Sequence, residues 1–169
     1  DTMNLGPDPE RPSWALGIMG MPGYTAYAGL LKLGEPKASD TVVVAAASGP
    51  VGATVGQIAK IKGCRVVGIA GGATKCKHVV DTLGFDACID HTDPGFAAQL
   101  KDACPAGIDV YFENVGGKVL YAVLPLLNEF ARMPVCGVVS WYNLTGLPDG
   151  PDFGPAIMGT ILRMKVKVQ

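Results

Sequence analysis

The sequence has 169 residues, of which 49% are hydrophobic and 17% are charged, a composition that predicts a buried core and excludes an intrinsically disordered chain. Because 14 basic residues stand against 15 acidic ones, the formal net charge is -1, which gives no positive field for nucleic acid or an anionic membrane surface. The 23 glycines are about twice the ~7% share of an average chain, which indicates sharp turns and close approaches of backbone to a ligand.

Predicted strands alternate with predicted helices along most of the chain. We predict strands at 41–46, 65–70, 87–90, 108–112 and 131–139, and helices at 25–33, 52–61, 74–83, 93–104 and 119–127. Asp93 is expected to cap the fourth of these helices. A short helix at 156–162 and a half-exposed or edge strand at 165–169 complete the pattern. This alternation predicts an α/β fold with a doubly wound parallel sheet, a Rossmann-type domain.

Neither a membrane span nor a disulfide framework is expected. Two uncharged runs, 12–31 and 41–59, approach the ~20 residues that cross a bilayer, but glycines and prolines interrupt both. The five cysteines are an odd number without a Cys-x-x-Cys pair, which favours reduced thiols in a cytoplasmic protein over disulfides or a zinc knuckle.

A glycine-rich loop follows the first predicted strand. Residues 47–52 read Ala-Ser-Gly-Pro-Val-Gly, an A-x-G-x-x-G pattern, and Gly56 follows in the next helix. Such small residues allow a sharp turn and let backbone N–H groups at the helix start face a pyrophosphate. A tight turn with Gly56 packed on the strand is the alternative, but the position in the first β-α turn favours a dinucleotide site.

The second β-α turn indicates which nucleotide binds. Sites for NAD, FAD and S-adenosylmethionine usually place Asp or Glu at the end of the second strand, to bond the ribose hydroxyls. No carboxylate occurs between 63 and 80, and Lys75 follows the glycine pair of residues 71–72. A lysine at this place pairs with a ribose 2′-phosphate, so the sequence favours NADP, the alternative being a solvated lysine. The missing carboxylate also argues against a methyltransferase.

Five motifs in chain order carry a family resemblance: GMPGYTAYAGLL (20–31), AASGPVG with GQIAK (46–52 and 56–60), GGATK (71–75), YFENVGG (111–117) and CGVVSWYN (136–143). Together they resemble the zinc-independent medium-chain dehydrogenases/reductases, in the branch of leukotriene and prostaglandin reductases, curcumin reductases and plant double-bond reductases. Members are about twice this length. The resemblance therefore implies that 1–13 is a connector from a missing catalytic lobe and that 14–169 is the NADP-binding domain.

The resemblance also implies a chemistry and a set of site residues. Members transfer hydride from NADPH to the β-carbon of an α,β-unsaturated ketone or aldehyde, or reduce quinones, and the isolated domain is expected to have little turnover. The pyrophosphate is assigned to Gly49, Pro50, Val51 and Gly52, the 2′-phosphate to Lys75, a further cofactor contact to Asn114, the nicotinamide ribose to Cys136, Gly137, Val138, Val139 and Ser140, and the substrate oxygen to Tyr142. Asn114 as a turn cap and Tyr142 as a packing residue remain alternatives.

Two positions depart from the family pattern. His91 stands where many relatives have Tyr near the adenosine phosphate, so an imidazole either takes that role or is solvated. Met21 and Thr25 occupy the place where zinc-dependent relatives have a metal-binding Cys before Thr. Because a thioether is a poor zinc ligand, we expect no catalytic metal and assign both residues to the nicotinamide pocket, with core packing as the alternative.

A function of another class stays open at this point. The same fold serves non-catalytic dinucleotide-binding or scaffold modules, which need no substrate cleft. As partners we expect a small-molecule substrate and a second copy of the chain in a homodimer, because the strand at 165–169 offers an edge for pairing.

Overall fold

Parallel strands form the centre of the molecule in a computed structural model that describes residues 10–146 and 150–169. The strands are β1 (Thr41–Ala45), β2 (Arg65–Ala70), β3 (Ala87–Asp90), β4 (Ile108–Phe112), β5 (Leu127–Met133) and β6 (Lys167–Val168). Within the described ranges they make one sheet in the order β3-β2-β1-β4-β5-β6, and every pairing is parallel. The predicted doubly wound α/β fold is confirmed, and its strand order reverses between β1 and β4.

Helices cover both faces of this sheet. They are α1 (Met21–Ala28), which continues into a π-helical segment (Gly29–Gly34), α2 (Pro50–Ile61), α3 (Ala73–Asp81), α4 (Phe96–Ala103), α5 (Gly117–Val123) and α6 (Gly154–Met164). Alternate residues of β1 point to opposite faces: Val42 and Val44 pack with α1 and α2, and Val43 packs with α4 and α5. Burial on both faces explains why β1 is an unbroken apolar run. No helix in the described part of the chain combines the length and apolarity needed to cross a bilayer.

Three strands, β2, β3 and β4, have the predicted bounds, whereas the fifth differs. We expected a strand at 131–139, but β5 begins at Leu127 and ends at Met133. A 3-10 turn at Leu124–Leu126, which contains Pro125, ends α5 early and brings the chain into the sheet sooner. The next residue after β5 is Pro134, which has no N–H for a ladder, so 134–139 lies outside the strand.

Helix starts also differ from the predictions. The carboxylate of Asp93 accepts a hydrogen bond from the Gly95 N–H at 2.6 Å, so it closes a turn and α4 begins only at Phe96. The first helix begins earlier than 25, at Met21, and its end is π-helical. At Gly29 a Cβ atom would lie 2.8 Å from the Phe112 ring, so glycine is needed for the helix to pack this closely on β4.

Candidate nucleotide-binding site

The loop between β1 and α2 is shaped by close backbone packing. Ala46 has a φ of +53°, and a Cβ atom on Gly52 would lie only 2.4 Å from the Ala46 carbonyl oxygen, so residue 52 must be glycine. Helix α2 begins at Pro50 without a side-chain cap. Its first backbone bond runs from the Ala53 N–H to the Gly49 carbonyl at 2.8 Å, which leaves the N–H groups of Val51 and Gly52 ahead of the hydrogen-bonded turns.

A groove of about 190 Å³ lies at the carboxyl ends of β1 and β4, where the strand order reverses. It is lined by Ala46, Gly49, Pro50, Val51, Gly52, Asn114 and Val139. The Asn114 side-chain amide donates to the Ala45 carbonyl at 3.0 Å and so ties the two strand ends together. The fold therefore gathers the predicted pyrophosphate loop, Asn114 and Val139 in one place. Ala46 was not predicted, because nothing in its residue type signals a left-handed backbone.

The segment 136–140 runs along the end of β4. The N–H groups of Cys136 and Gly137 both donate to the Glu113 carbonyl, at 3.0 and 3.1 Å. The Ser140 hydroxyl donates to the Val115 carbonyl at 2.5 Å. Burial raises the pKa of the Cys136 thiol, which is therefore neutral at pH 7. Five residues of this segment were predicted to contact the nicotinamide ribose. Of these, Val139 lines the groove, and the other four lie beside it in the chain but not in its lining.

Tyr142 is 65% exposed and lies next to this segment rather than in the groove. Its hydroxyl oxygen accepts a hydrogen bond from the Val138 N–H at 3.3 Å. Since a tyrosine hydroxyl is both an acceptor and a donor, the O–H proton is left to donate to another group.

Lys75 and His91 both lie near the glycine turn that follows β2. Lys75 is exposed in the first turn of α3. The Nε2 atom of His91 lies 3.1 Å from the position that a Cβ atom on Gly71 would take, so the imidazole covers the start of the same turn. Its Nδ1 atom is buried and has no hydrogen-bond partner among residues 10–146 and 150–169.

A carboxylate that the sequence pattern did not reveal holds this turn. The Oδ1 atom of Asp90 accepts hydrogen bonds from the Gly72 N–H at 2.9 Å and from the Thr92 N–H at 2.8 Å. The Thr92 hydroxyl donates to it as well, at 2.7 Å. These bonds lower the pKa of Asp90 to about 2. Residues 63–80 include no acidic residue, but Asp90 at the end of β3 lies opposite Ala70 at the end of β2.

Met21 and Thr25 lie outside the groove lining. Met21 is 70% exposed on α1, which excludes core packing for its side chain, and the Thr25 hydroxyl donates to its sulfur at 3.3 Å. No three His, Cys, Asp or Glu side chains come together as metal ligands in the part of the chain that the structure describes.

Sequence comparison places the chain in a known family. The model of a family described as zinc-binding dehydrogenase matches residues 50–164, from the start of α2 to the end of α6. The chain belongs to this family. Its relatives include the NADPH-dependent curcumin reductase of Escherichia coli (strain K12), with 63% identity over the whole chain and 49% of that protein. The NADP(+)-dependent 2-alkenal reductase of Nicotiana tabacum is 50% identical over 78% of the chain and 39% of that protein.

A solved structure matches the fold closely. The crystal structure of CurA from Vibrio vulnificus in complex with NADPH superposes with a TM-score of 0.93 and 60% identity, over 97% of this chain and 49% of that one. The chain thus spans about half the length of the Escherichia coli curcumin reductase and of CurA. These similarities confirm the predicted resemblance to the curcumin and double-bond reductases.

Proposed function

We propose that the chain is the NADPH-binding part of an oxidoreductase that reduces the C=C bond of α,β-unsaturated ketones and aldehydes, with quinones as further substrates. The observation that carries the proposal is the groove at the strand-order reversal, where the glycine loop, Asn114 and Val139 meet. The named relatives support it, since they are described as NADPH-dependent or NADP(+)-dependent reductases of curcumin and 2-alkenals. When bound, NADPH supplies a hydride to the substrate.

The phosphate groups of the nucleotide match two parts of the site. The N–H groups of Val51 and Gly52 and the positive end of the helix dipole of α2 bind the pyrophosphate. Lys75 pairs with the 2′-phosphate, and His91 covers the same turn. Three hydrogen bonds fix the Asp90 carboxylate to the backbone of this turn and to Thr92, so it holds the turn in which Gly72 lies.

We assign the reacting groups to residues that lie outside the groove lining. Hydride addition to the β-carbon moves an electron pair onto the carbonyl oxygen of the substrate, and this oxygen needs a hydrogen-bond donor. Tyr142 is our candidate, because its oxygen already accepts from the Val138 N–H and its proton is left to donate. We assign Met21 and Thr25 to the nicotinamide side of the pocket as the resemblance implies. Substitution of either residue should therefore lower the turnover of the longer enzyme.

A surface near the start of the described chain supports a larger enzyme. Seven apolar side chains there are at least 47% exposed: Trp14, Leu16, Ile18, Met19, Met21, Tyr24 and Tyr27. Such a contiguous apolar run is usual where another part of a protein packs. We propose that a catalytic lobe covers it, with 1–13 as the connector, of which 1–9 lie outside the described residues. A cytoplasmic homodimer paired through the exposed edge strand β6 is the assembly that we propose.

Titration of the chain with NADPH and NADH, followed by nucleotide fluorescence, tests the binding proposal. We expect NADPH to bind at least tenfold more tightly, since each factor of ten needs about 1.4 kcal/mol from the 2′-phosphate contacts. Equal affinity for the two nucleotides, or no binding, would contradict it. NADPH oxidation by the longer enzyme with an enone separates a reductase from a non-catalytic module, because only a reductase consumes both in equal amounts.

A further inference from the structure

Glu113 is a buried acidic residue without a role in nucleotide binding so far. It follows β4 directly, and only 1% of its surface is exposed. Its Oε1 atom accepts two backbone hydrogen bonds, from the Val115 N–H at 2.5 Å and from the Gly116 N–H at 2.9 Å. These two bonds close the turn that leads from β4 into α5.

That turn positions the side of the nucleotide groove that faces the glycine loop. Asn114 lies inside it, and its side chain reaches across to the Ala45 carbonyl. The Asn114 carbonyl accepts the Val139 N–H at 3.1 Å, and the Val115 carbonyl accepts the Ser140 N–H at 3.0 Å. Displacing the turn therefore moves Asn114 and Val139 together.

Packing alone gives no reason for an acid at this position. Burial raises the pKa of Glu113, and the Val115 and Gly116 amide donors offset this only in part. Neither Oε2 of Glu113 nor the Tyr111 hydroxyl forms a hydrogen bond with the described residues, so part of the carboxyl group is desolvated without compensation. An apolar side chain of similar volume would avoid this cost. Such a side chain would offer no acceptor for the N–H groups of Val115 and Gly116.

We propose that Glu113 is a positioning residue of the nucleotide groove, which acts through the 113–117 turn on Asn114 and on the segment that contains Val139. This inference rests on the proposed function, because the groove is taken to bind NADPH. The carboxyl group holds the turn, and the turn sets the distance of Asn114 and Val139 from the glycine loop.

Three substitutions separate the effect of the hydrogen-bond acceptor from the effect of side-chain volume. Glu113→Met keeps a similar volume but has no oxygen, whereas Glu113→Gln keeps an oxygen that accepts both amides. Tyr111→Phe is the comparison, because it removes the buried hydroxyl next to the carboxyl group of Glu113 and leaves the two amide donors to Oε1 in place. Calorimetry of NADPH binding should show roughly tenfold weaker affinity for Glu113→Met and a change of at most about twofold for the other two.

A readout without nucleotide keeps this test apart from the proposed function. The Trp141 ring lies 3.2 Å from the position of a Cβ atom on Gly116, so it reports on the turn. In a Trp14→Phe background it is the remaining tryptophan of the two in the chain. We expect its emission to shift to the red in Glu113→Met, but not in Glu113→Gln or Tyr111→Phe.

Coupling to Asn114 gives a further criterion. If Glu113 acts through the turn, adding Asn114→Ala to Glu113→Met should weaken NADPH binding by no more than about twofold beyond the stronger single effect. Independent, fully additive losses would contradict the proposal. A folded Glu113→Met with unchanged Trp141 emission and unchanged affinity would overturn it.

Amide hydrogen exchange of the unmodified chain decides the matter even if Glu113→Met does not fold. The Val115 and Gly116 amides should exchange slowly, since both donate to a buried carboxyl oxygen. Exchange at the rate of free loop amides would refute the role of Glu113. If the unmodified chain does not bind NADPH, the proposed function fails, while exchange and emission still report on the turn.

Discussion

The loop after β1 and the turn after β2 are both proposed to meet phosphate groups, yet they use glycine differently. At Gly52 a side chain has no room, because its Cβ would lie 2.4 Å from the Ala46 carbonyl oxygen. At Gly72 a Cβ would meet nothing within 4 Å, but the φ of +90° is one that side chains rarely adopt. The first is shaped by packing and the second by backbone conformation. Substitutions should therefore damage binding most in the first loop and cost mainly conformational energy in the second.

The largest effect should come from Gly52→Ala. The added methyl group forces the loop away from Ala46, and overpacking of this kind costs ~1–3 kcal/mol, or roughly a 5- to 150-fold loss of NADPH affinity. Gly49→Ala is the matched comparison, since its Cβ would lie 3.3 Å from the same oxygen and needs only a small adjustment. Calorimetric titration of both variants measures the difference. Equal losses in the two would mean that packing does not shape the loop.

Lys75→Ala should come next and should separate the two nucleotides. Removing the ammonium group is expected to weaken NADPH binding about tenfold, a loss of about 1.4 kcal/mol, and to leave NADH binding unchanged. Lys77→Ala on the same helix is the control, because Lys77 pairs with Asp81 instead. Fluorescence titrations with both nucleotides give the result. A parallel loss of NADH affinity would place Lys75 elsewhere than at the 2′-phosphate.

A smaller effect is expected from Gly72→Ala. With open space around the site, the cost is that of an alanine held at φ +90° and ψ 145°, about 1 kcal/mol of unfolding free energy or more. Gly72→Asn should cost about as much, because asparagine tolerates the left-handed helical region but not a ψ of 145°. Urea unfolding of the two variants and the unmodified chain compares the two losses. A clearly smaller loss for asparagine than for alanine would show that the turn does not depend on this conformation.

The smallest effect should be the pH dependence contributed by Asp90. Its pKa is lowered from 3.8 to about 2 in the folded chain, so its contribution to stability is present above pH 3.8 and is lost as the pH falls toward 2. Asp90→Asn should therefore be less stable than the unmodified chain at pH 7, and the difference should shrink between pH 4 and pH 2. Denaturant unfolding across this range measures it. A constant difference would show that ionisation of Asp90 does not contribute.

Much of the fold could be predicted because local signals and tertiary packing agree. The apolar runs of β1, β2 and β4 are short, β-branched and buried on both faces, so little else fits them. The end of α5 could not be placed, since the apolar residues 124–127 suit a helix and a strand equally. The position of Leu127 opposite Ile108 in the sheet decides it.

The candidate site likewise contains residues that the local sequence predicts and residues that it does not. The glycine loop is local in sequence, and its residues could be named in advance. Asp90 and Glu113 were missed, because each acts on backbone amides that the fold or a turn brings to it. Carboxylates are common in sequences, and no spacing rule marks one that accepts hydrogen bonds from a neighbouring turn.

The contact between Asn114 and Ala45 has a consequence for how the protein is made. The two residues are 69 positions apart in sequence. On a translating ribosome, the first half of the molecule therefore emerges with its glycine loop facing no opposite wall. Nascent chains that stop before residue 114 should lack any nucleotide pocket, and the cofactor can stabilise this domain only after most of it has been synthesised.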